Sequence, residues 1–476
     1  MIILVQINYT QDRSETILPL GILSVGSALK KSGFKVQLLN INEKQIDKAV
    51  NYIIQQNPLY AGLSVMTGLQ TEHSVQMSKK IKAQSNIPVL WGGIHPSLLP
   101  EQCLSENYID YVIVGEGKET AVELSNTLRR GQSLEGILGC GYKKQAKIII
   151  NEPRPFIRNL DQYRLDFSLT NLEKCIFRLD KYNRVIAYKT SRGCPYNCSF
   201  CYNQKFNQNR WRAWSIDVVV EDINYLKNKY KIDAVKFYDD NFFVDKQRAL
   251  EILRSINLPS HTEIRIDAID KQLVRELKRL NSFDLLIGME SGSNRLLKMI
   301  NKKITTDDII KAVKILAKNN LRASYSTMVG LPTETKQEFE STIKLMYKTY
   351  EIHSQARFTM GAYLPYPGSS LYNLALKHGF KPPQKTEDWG KIDRFRNRYT
   401  SPFVDAKLVW RIREYFKFLS INLGPINKWL KWRIKHRFFA WPLDIHVLEY
   451  LSHIAIGEKG ILGRSLRKVH NLVKHV

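Results

Sequence analysis

Nowhere in this chain do apolar residues run unbroken for the roughly eighteen positions that a membrane-spanning helix requires, so no such helix is indicated. Cysteine is scarce, six in 476 residues, and three of the six (Cys103, Cys140, Cys175) stand isolated. That is not the dense, regular set from which secreted folds build a disulfide framework. Met1–Ile7 is apolar but carries neither a basic leader nor a small-residue cleavage site, and it reads as a first β-strand. The cytosol is the expected compartment. Phosphate-cradling glycine loops are missing: the first strand is not followed by G-x-G-x-x-G, and G-x-x-x-x-G-K-[ST] does not occur. Internal repeats and low-complexity tracts are not evident. Acidic residues are few, 45 against 72 Lys and Arg, for a formal net charge of +27. Such an excess suits nucleic acid, a membrane surface or an anionic substrate, and equally a solvated face rich in lysine, so the charge alone selects nothing. No specific nucleic-acid partner is expected.

What is present is ample for real cores. A length of 476 residues with 43% hydrophobic content argues for two or three domains. Up to about residue 140, short apolar runs (Ile2–Ile7, Lys35–Leu39, Tyr60–Met66, Pro88–Trp91, Tyr111–Val114) alternate with helix-like stretches near 20–32, 44–55, 70–84 and 118–129. Five such units predict a doubly wound, Rossmann- or flavodoxin-like parallel sheet that binds ligands at the carboxyl ends of its strands. Those ends carry Ser64-Val-Met-Thr-Gly68, Gly92-Gly-Ile-His-Pro-Ser97 and Gly115-Glu-Gly117. Any one of these loops is explained by a tight turn; three at one edge favour a large ligand approached closely by backbone.

After a mixed stretch of about 143–180, read as a linker, a second α/β series begins. Its strands are expected at Ile186–Thr190, Ala234–Tyr238, Glu263–Asp267, Leu285–Met289, Ser324–Val329 and Phe358–Leu364, with helices such as Ile216–Lys229 and Thr335–Tyr350 between them. Six βα units predict a partial barrel over 181–385, with chemistry at the C-terminal strand ends. A mainly helical extension, 386–476, closes the chain. Its segments 406–419 and 428–441 combine aromatic and basic residues. That pattern fits either a helix lying on an anionic membrane or one packed on the barrel with Lys and Arg in solvent, and the packed arrangement is the stronger expectation.

The run Ser191-Arg-Gly-Cys-Pro-Tyr-Asn-Cys-Ser-Phe-Cys-Tyr202 places Cys194, Cys198 and Cys201 within eight residues, just after the first barrel strand. Zinc sites and ordinary iron–sulfur clusters use four ligands. Here a fourth is not within spacing: Cys175 precedes by nineteen residues and the next histidine is His261. A four-iron cluster held here keeps one iron open.

The spacing C-x3-C-x2-C, with Phe200 before the third cysteine, resembles the signature of the radical S-adenosylmethionine superfamily. The resemblance implies a [4Fe-4S] cluster on Cys194, Cys198 and Cys201, with S-adenosylmethionine chelating the open iron and cleaved by one electron to a 5′-deoxyadenosyl radical. It implies S-adenosylmethionine contacts from Phe200, Tyr238, Asp239, Glu290 and Ser291. Met328–Glu334 and Pro365–Ser370 follow the later strands in the same order as in that family. The N-terminal motifs around Leu20 and Gly21, at Gly92–His95 and at Val114–Gly117 resemble its cobalamin-binding branch. By that resemblance Leu20, Gly21, Ser64, Gly92, Gly93, His95, Gly115, Glu116 and Gly117 contact cobalamin. D-x-H-x-x-G is absent, as is usual in that branch, and a loop-ordering hydrogen bond is the better expectation for His95 than cobalt ligation.

The expected function is therefore a cobalamin-dependent radical methyltransferase acting on an unactivated carbon of a lipid-like or natural-product substrate. It would be served by an electron donor such as flavodoxin or ferredoxin, with peripheral membrane contact through the C-terminal region as a further expectation. The alternatives are a radical cyclase or rearrangement enzyme with the same cofactors, and a non-catalytic protein with a vestigial sheet domain. A methylthiotransferase would need a second three-cysteine set, and Cys103, Cys140 and Cys175 are too dispersed to supply it.

Overall fold

The structure is a computed structural model and describes residues 1–8, 17–145, 147–392, 401–421, 424–448 and 450. Its first sheet holds β1 (Ile2–Asn8), β2 (Val36–Asn42), β3 (Ala61–Ser64), β4 (Val89–Gly92), β5 (Tyr111–Ile113), β6 (Cys140–Lys144) and β7 (Lys147–Ile150), in the order β2-β1-β3-β4-β5-β6-β7. β1 to β5 are parallel; β6 and β7 add to the β5 edge antiparallel. Alternate residues of β1 serve opposite faces. Ile2 and Leu4 pack with Ile22, Leu23 and Leu124 from helices Leu20–Lys31 and Gly117–Arg129. Ile3 and Val5 pack with Ala49, Val50 and Ile81 from helices Ile46–Gln56 and Leu69–Gln84. Both faces are covered, which is why the run Ile2–Ile7 is apolar without alternation. Strand order reverses between β1 and β3, the switch point where a doubly wound sheet opens a crevice.

The second sheet contains β8 (Phe177–Leu179), β9 (Tyr182–Tyr188), β12 (Ala234–Phe237), β13 (Ser260–Ile264), β14 (Ser282–Glu290), β15 (Ala323–Val329) and β16 (Ala356–Ala362). Between β9 and β12 stands a small antiparallel hairpin, β10 (Ser191–Arg192) and β11 (Arg212–Ala213). The order β16-β15-β14-β13-β12-β9-β8 gives six parallel strands in sequence, with β8 antiparallel on the β9 edge. β16 and β8 do not pair, so the barrel is open. Helices including Ile216–Tyr230, Lys246–Ile256, Thr306–Lys318 and Lys336–Ile352 follow the strands.

Three barrel strands lie earlier than the sequence pattern indicates: β9 is Tyr182–Tyr188 in place of Ile186–Thr190, β16 is Ala356–Ala362 in place of Phe358–Leu364, and β13 moves as well. β13 spans Ser260–Ile264, not Glu263–Asp267, and Ile266–Ala268 forms a 3-10 turn. The apolar alternation runs past the last paired residue, Ile264 opposite Ile287. Beyond it Arg265 bends to pair with Asp267 and to donate to the Lys302 carbonyl at 2.7 Å.

After the barrel the chain returns to the first sheet. Trp389 donates through Nε1 to Gln102 at 2.8 Å, and Lys79 pairs with Glu387 at 2.6 Å. Helix Ala406–Leu419 then covers the β16 side of the barrel. Val409, Ile412, Tyr415, Phe416, Phe418 and Leu419 are buried, and the Phe416 ring stands 5.1 Å from that of Phe358. No helix among the described residues is long and apolar enough to cross a membrane.

Candidate functional site

The cysteine loop leaves β10 through Gly193, whose φ is +79° and whose missing Cβ would strike the Arg210 carbonyl oxygen, so only glycine fits. Neighbouring strand ends fasten the loop. Ser199 donates its N–H to Ile300 at 2.9 Å and accepts one from Leu371 at 2.8 Å, which ties it to segments after β14 and β16. Asp240, after β12, accepts from Gly193 N–H (3.1 Å), Lys189 Nζ (2.9 Å) and the Tyr202 hydroxyl (2.6 Å). Burial pushes the Asp240 carboxyl up, but Lys189, Tyr202 and Gly193 outweigh it and hold the group below its ordinary range.

The three thiols meet different surroundings. Cys198 is buried, and Arg265 donates to its Sγ at 3.5 Å while stacking 3.7 Å over the Tyr196 ring. Burial raises the Cys194 thiol, and raises Cys201 to about 11, reinforced by Asp240 and by the neighbouring thiols. Among the described residues no set of three or more His, Cys, Asp or Glu side chains is placed to hold a single metal ion. A cluster is wider than an ion, and three soft thiolate donors without nitrogen or oxygen partners are the donor set of an iron–sulfur cluster. The residues present fit that group.

Around the barrel mouth the predicted contacts divide. Phe200 is half-buried, with the Lys302 ammonium 5.9 Å from its ring centroid. Glu290 stands at φ 62° at the end of β14, and its Oε1 accepts from Lys302 Nζ at 2.6 Å in a buried ion pair. Tyr238 is half-buried, with the Lys236 ammonium 4.7 Å over its ring. Asp239 and Ser291 are engaged inside the protein. Asp239 accepts from the Thr190 N–H and hydroxyl and from the Ser191 hydroxyl. Ser291 Oγ accepts from Ser293 N–H at 3.2 Å. Both brace turns, at the ends of β12 and β14. Arg265 and Lys302 were missed, because neither lies in a motif: Arg265 reaches Cys198 from the turn after β13, and Lys302 reaches back to Glu290 from twelve residues on, in the loop after helix Asn294–Met299.

In the first domain a cleft of about 750 Å3, part of it open to solvent, lies at the carboxyl ends of the strands. Gly21, Ser64, Gly92, Gly93, Gly115, Glu116 and Gly117 all line it. A Cβ at Gly92 or Gly115 would meet nothing within 4 Å, so a side chain there would fill the cleft. This glycine-floored, largely apolar hollow can seat part of a large ligand such as a corrin, with the rest lying across its open side. Leu20 and His95 do not line it. His95 is fully buried between the rings of Trp91 and Trp389; its Nδ1 lies 3.0 Å from the Thr67 hydroxyl, and burial lowers its pKa to about 3. A neutral imidazole so placed orders the loop from behind.

Glu116 lines the cleft yet spends its carboxylate on protein. It pairs with Arg192 at 3.2 Å and Arg212 at 2.8 Å, and accepts the Ile157 N–H at 3.0 Å. Arg192 and Arg212 are the facing pair of the hairpin that brackets the cysteine loop. Arg192 and Phe206 line the cleft as well, so its wall is built partly by residues flanking the cysteines. Tyr60 and Lys118 also belong to the lining. Arg192 and Lys118 adjoin recognised motifs, and that adjacency was the available signal.

Two family models match the chain: the radical SAM superfamily over residues 188–346 and the B12 binding domain over residues 11–125. An uncharacterized methyltransferase of Pyrococcus horikoshii is 31% identical over 366 residues, covering 75% of this chain and 78% of the relative. The anaerobic magnesium-protoporphyrin IX monomethyl ester cyclase of Synechocystis sp. is 26% identical over 440 residues, covering 88% and 84%. Among solved structures, the radical S-adenosylmethionine methyltransferase TsrM from Kitasatospora setae, with cobalamin and a [4Fe-4S] cluster bound, superposes with a TM-score of 0.66 at 16% identity, covering 92% of this chain and 98% of that one.

Proposed function

The chain belongs to the radical S-adenosylmethionine superfamily, in its B12-binding methyltransferase branch, and from that premise we propose that it methylates an unactivated carbon of a lipid-like or natural-product small molecule. It is an enzyme of a [4Fe-4S] cluster, S-adenosylmethionine and cobalamin. When bound, the first two supply a 5′-deoxyadenosyl radical and the third a transferable methyl group. One observation carries the reading. The cleft at the carboxyl edge of the first sheet is walled by Arg192 and Phe206, which flank Cys194, Cys198 and Cys201, so a methyl source and a radical source would share one space.

In this reading Cys194, Cys198 and Cys201 hold three irons and leave the fourth for S-adenosylmethionine. Phe200, Tyr238 and Glu290 border that ligand, while Asp239 and Ser291 hold the turns that aim them. Gly21, Ser64, Gly92, Gly93, Gly115 and Gly117 give backbone and small side chains to the corrin. Leu20 and His95 support the loops, and Glu116 ties the corrin cleft to the cysteine hairpin. An electron donor of the flavodoxin or ferredoxin kind reduces the cluster. The same cofactors without methyl transfer define a second outcome, favoured by the cyclase relative that matches 88% of this chain.

Anaerobic turnover with methyl-labelled S-adenosylmethionine and candidate substrates separates the two. S-adenosylhomocysteine formed alongside 5′-deoxyadenosine, with label in the product, is expected; 5′-deoxyadenosine alone with an unmethylated product would establish the cyclase outcome. We propose peripheral membrane contact through the C-terminal region, a reading supported by Trp429, Trp432, Trp441 and Leu443 exposed beside Lys428, Lys431 and Lys435. Binding to anionic liposomes that survives deletion of residues 405–476 would dispose of that reading.

A further inference from the structure

The apolar cleft has one charged side, and a lysine there lacks an acceptor. Lys118, in the first turn of helix Gly117–Arg129, is 1% exposed and lines the cleft. Its ammonium lies 5.0 Å from the Tyr163 ring centroid and 5.7 Å from that of Trp214. Among the described residues its Nζ has no hydrogen-bond partner. The carboxylates near it are committed elsewhere. Glu116 serves Arg192, Arg212 and the Ile157 N–H, and Glu119 accepts from the Tyr163 hydroxyl at 2.7 Å and pairs with Arg154 at 3.5 Å.

An ammonium buried without an acceptor is costly. Burial first, and then Arg192, bring the Lys118 pKa down to about 7. Beside it stand Arg192 and Arg212, so three cations share the single buried carboxylate of Glu116, and the N-terminal end of a helix adds partial positive charge. An arriving anion relieves all of this at once, and a phosphate group has enough oxygens to meet an ammonium and a guanidinium together. The periphery of cobalamin is made of neutral amides, apart from one phosphodiester that joins the corrin side chain to the nucleotide tail.

Resting on the cobalamin reading above, we propose that Lys118 and Arg192 form an anion subsite for the phosphodiester of the cobalamin nucleotide tail. Cobinamide, a corrin without phosphate, ribose or base, isolates that contact. Affinities for hydroxocobalamin and for aquacobinamide, read from absorbance changes on binding, are compared in wild type, Lys118→Met and Lys118→Arg. Lys118→Met should weaken cobalamin by roughly tenfold or more and change cobinamide by no more than about twofold. Lys118→Arg should recover most of the cobalamin affinity. Equal losses for both corrinoids would make Lys118 a packing residue, and unchanged affinity for both would place the anion elsewhere, for example on a phosphorylated substrate; either result overturns the subsite. A wild type that binds neither corrinoid would remove the cobalamin reading itself, and the subsite with it.

Discussion

Glycine at position 92 leaves space that a side chain would take. A Cβ at Gly92 would meet no atom within 4 Å, and Gly92 lines the cleft, so the side chain of Gly92→Val should take up cleft space. Since it displaces nothing, the fold should tolerate it, with the melting temperature of the apo protein moving by no more than a few degrees. Its hydroxocobalamin affinity should fall by about tenfold or more, and equilibrium dialysis measures this. Glu290 gives the opposite case. Its carboxylate and the Lys302 ammonium are both largely buried at 2.6 Å, so Glu290→Ala leaves an unpaired buried cation and should cost about 3–5 kcal/mol. Urea unfolding of the apo protein checks it; a loss below about 1 kcal/mol would show the pair to be solvated. At this scale the sequence displays motif residues and hides their partners. Cys194, Cys198 and Cys201 announce themselves by spacing. Arg265 lies 67 residues beyond its partner Cys198 and meets it only through the curl of the sheet, while Lys302 turns back to Glu290 across an intervening helix.

Among elements, apolar period and burial agree wherever a strand is covered on both sides. β1 and β15 therefore fall where their apolar runs put them. β13 departs because pairing, not hydropathy, ends a strand: Ile266 is apolar and buried, but it lies in a 3-10 turn that Arg265 initiates. The C-terminal helix Ala406–Leu419 illustrates the same limit. Its aromatic and basic composition suits two environments, and only the neighbouring Phe358 reveals that the apolar face is already occupied by the barrel. Phe416→Ala should therefore destabilise the protein by about 3–5 kcal/mol, read from denaturant midpoints. A change under about 1 kcal/mol would mean that the helix packs only loosely on β16.

Over the whole molecule, the first sheet and the barrel are joined where their sites meet. Glu116 reaches from the cleft of the first sheet to Arg192 and Arg212 on the cysteine hairpin. Burial raises the Glu116 carboxyl, but the two arginines and the Ile157 N–H more than compensate, so its pKa in the folded state lies below the ordinary 4.5. A carboxyl depressed by folding stabilises the folded state in full above its unfolded value, and the contribution is lost as pH falls through the depressed one. Glu116→Gln should accordingly lower the melting temperature near neutral pH. The gap from wild type should narrow below pH 4.5 and close at more acidic pH. A gap independent of pH would show that packing, not charge, accounts for the effect. The motif Gly115-Glu-Gly117 was legible as a ligand loop, whereas its role as a tie to a hairpin about eighty residues on required the fold.

Cys194, Cys198 and Cys201 are proposed to hold the cluster, and the cleft beside them the corrin. The most direct measurement is anaerobic reconstitution of wild type and Cys198→Ala with iron, sulfide and hydroxocobalamin. Iron, sulfide and cobalt are then counted per chain, and 5′-deoxyadenosine is assayed after adding S-adenosylmethionine and a reductant. Wild type should carry one four-iron cluster and one cobalamin and should form 5′-deoxyadenosine. Cys198→Ala should lose cluster and cleavage while keeping the corrin. A Cys198→Ala protein that keeps its cluster or still cleaves S-adenosylmethionine, or a wild type that retains no cobalt, would contradict that proposal.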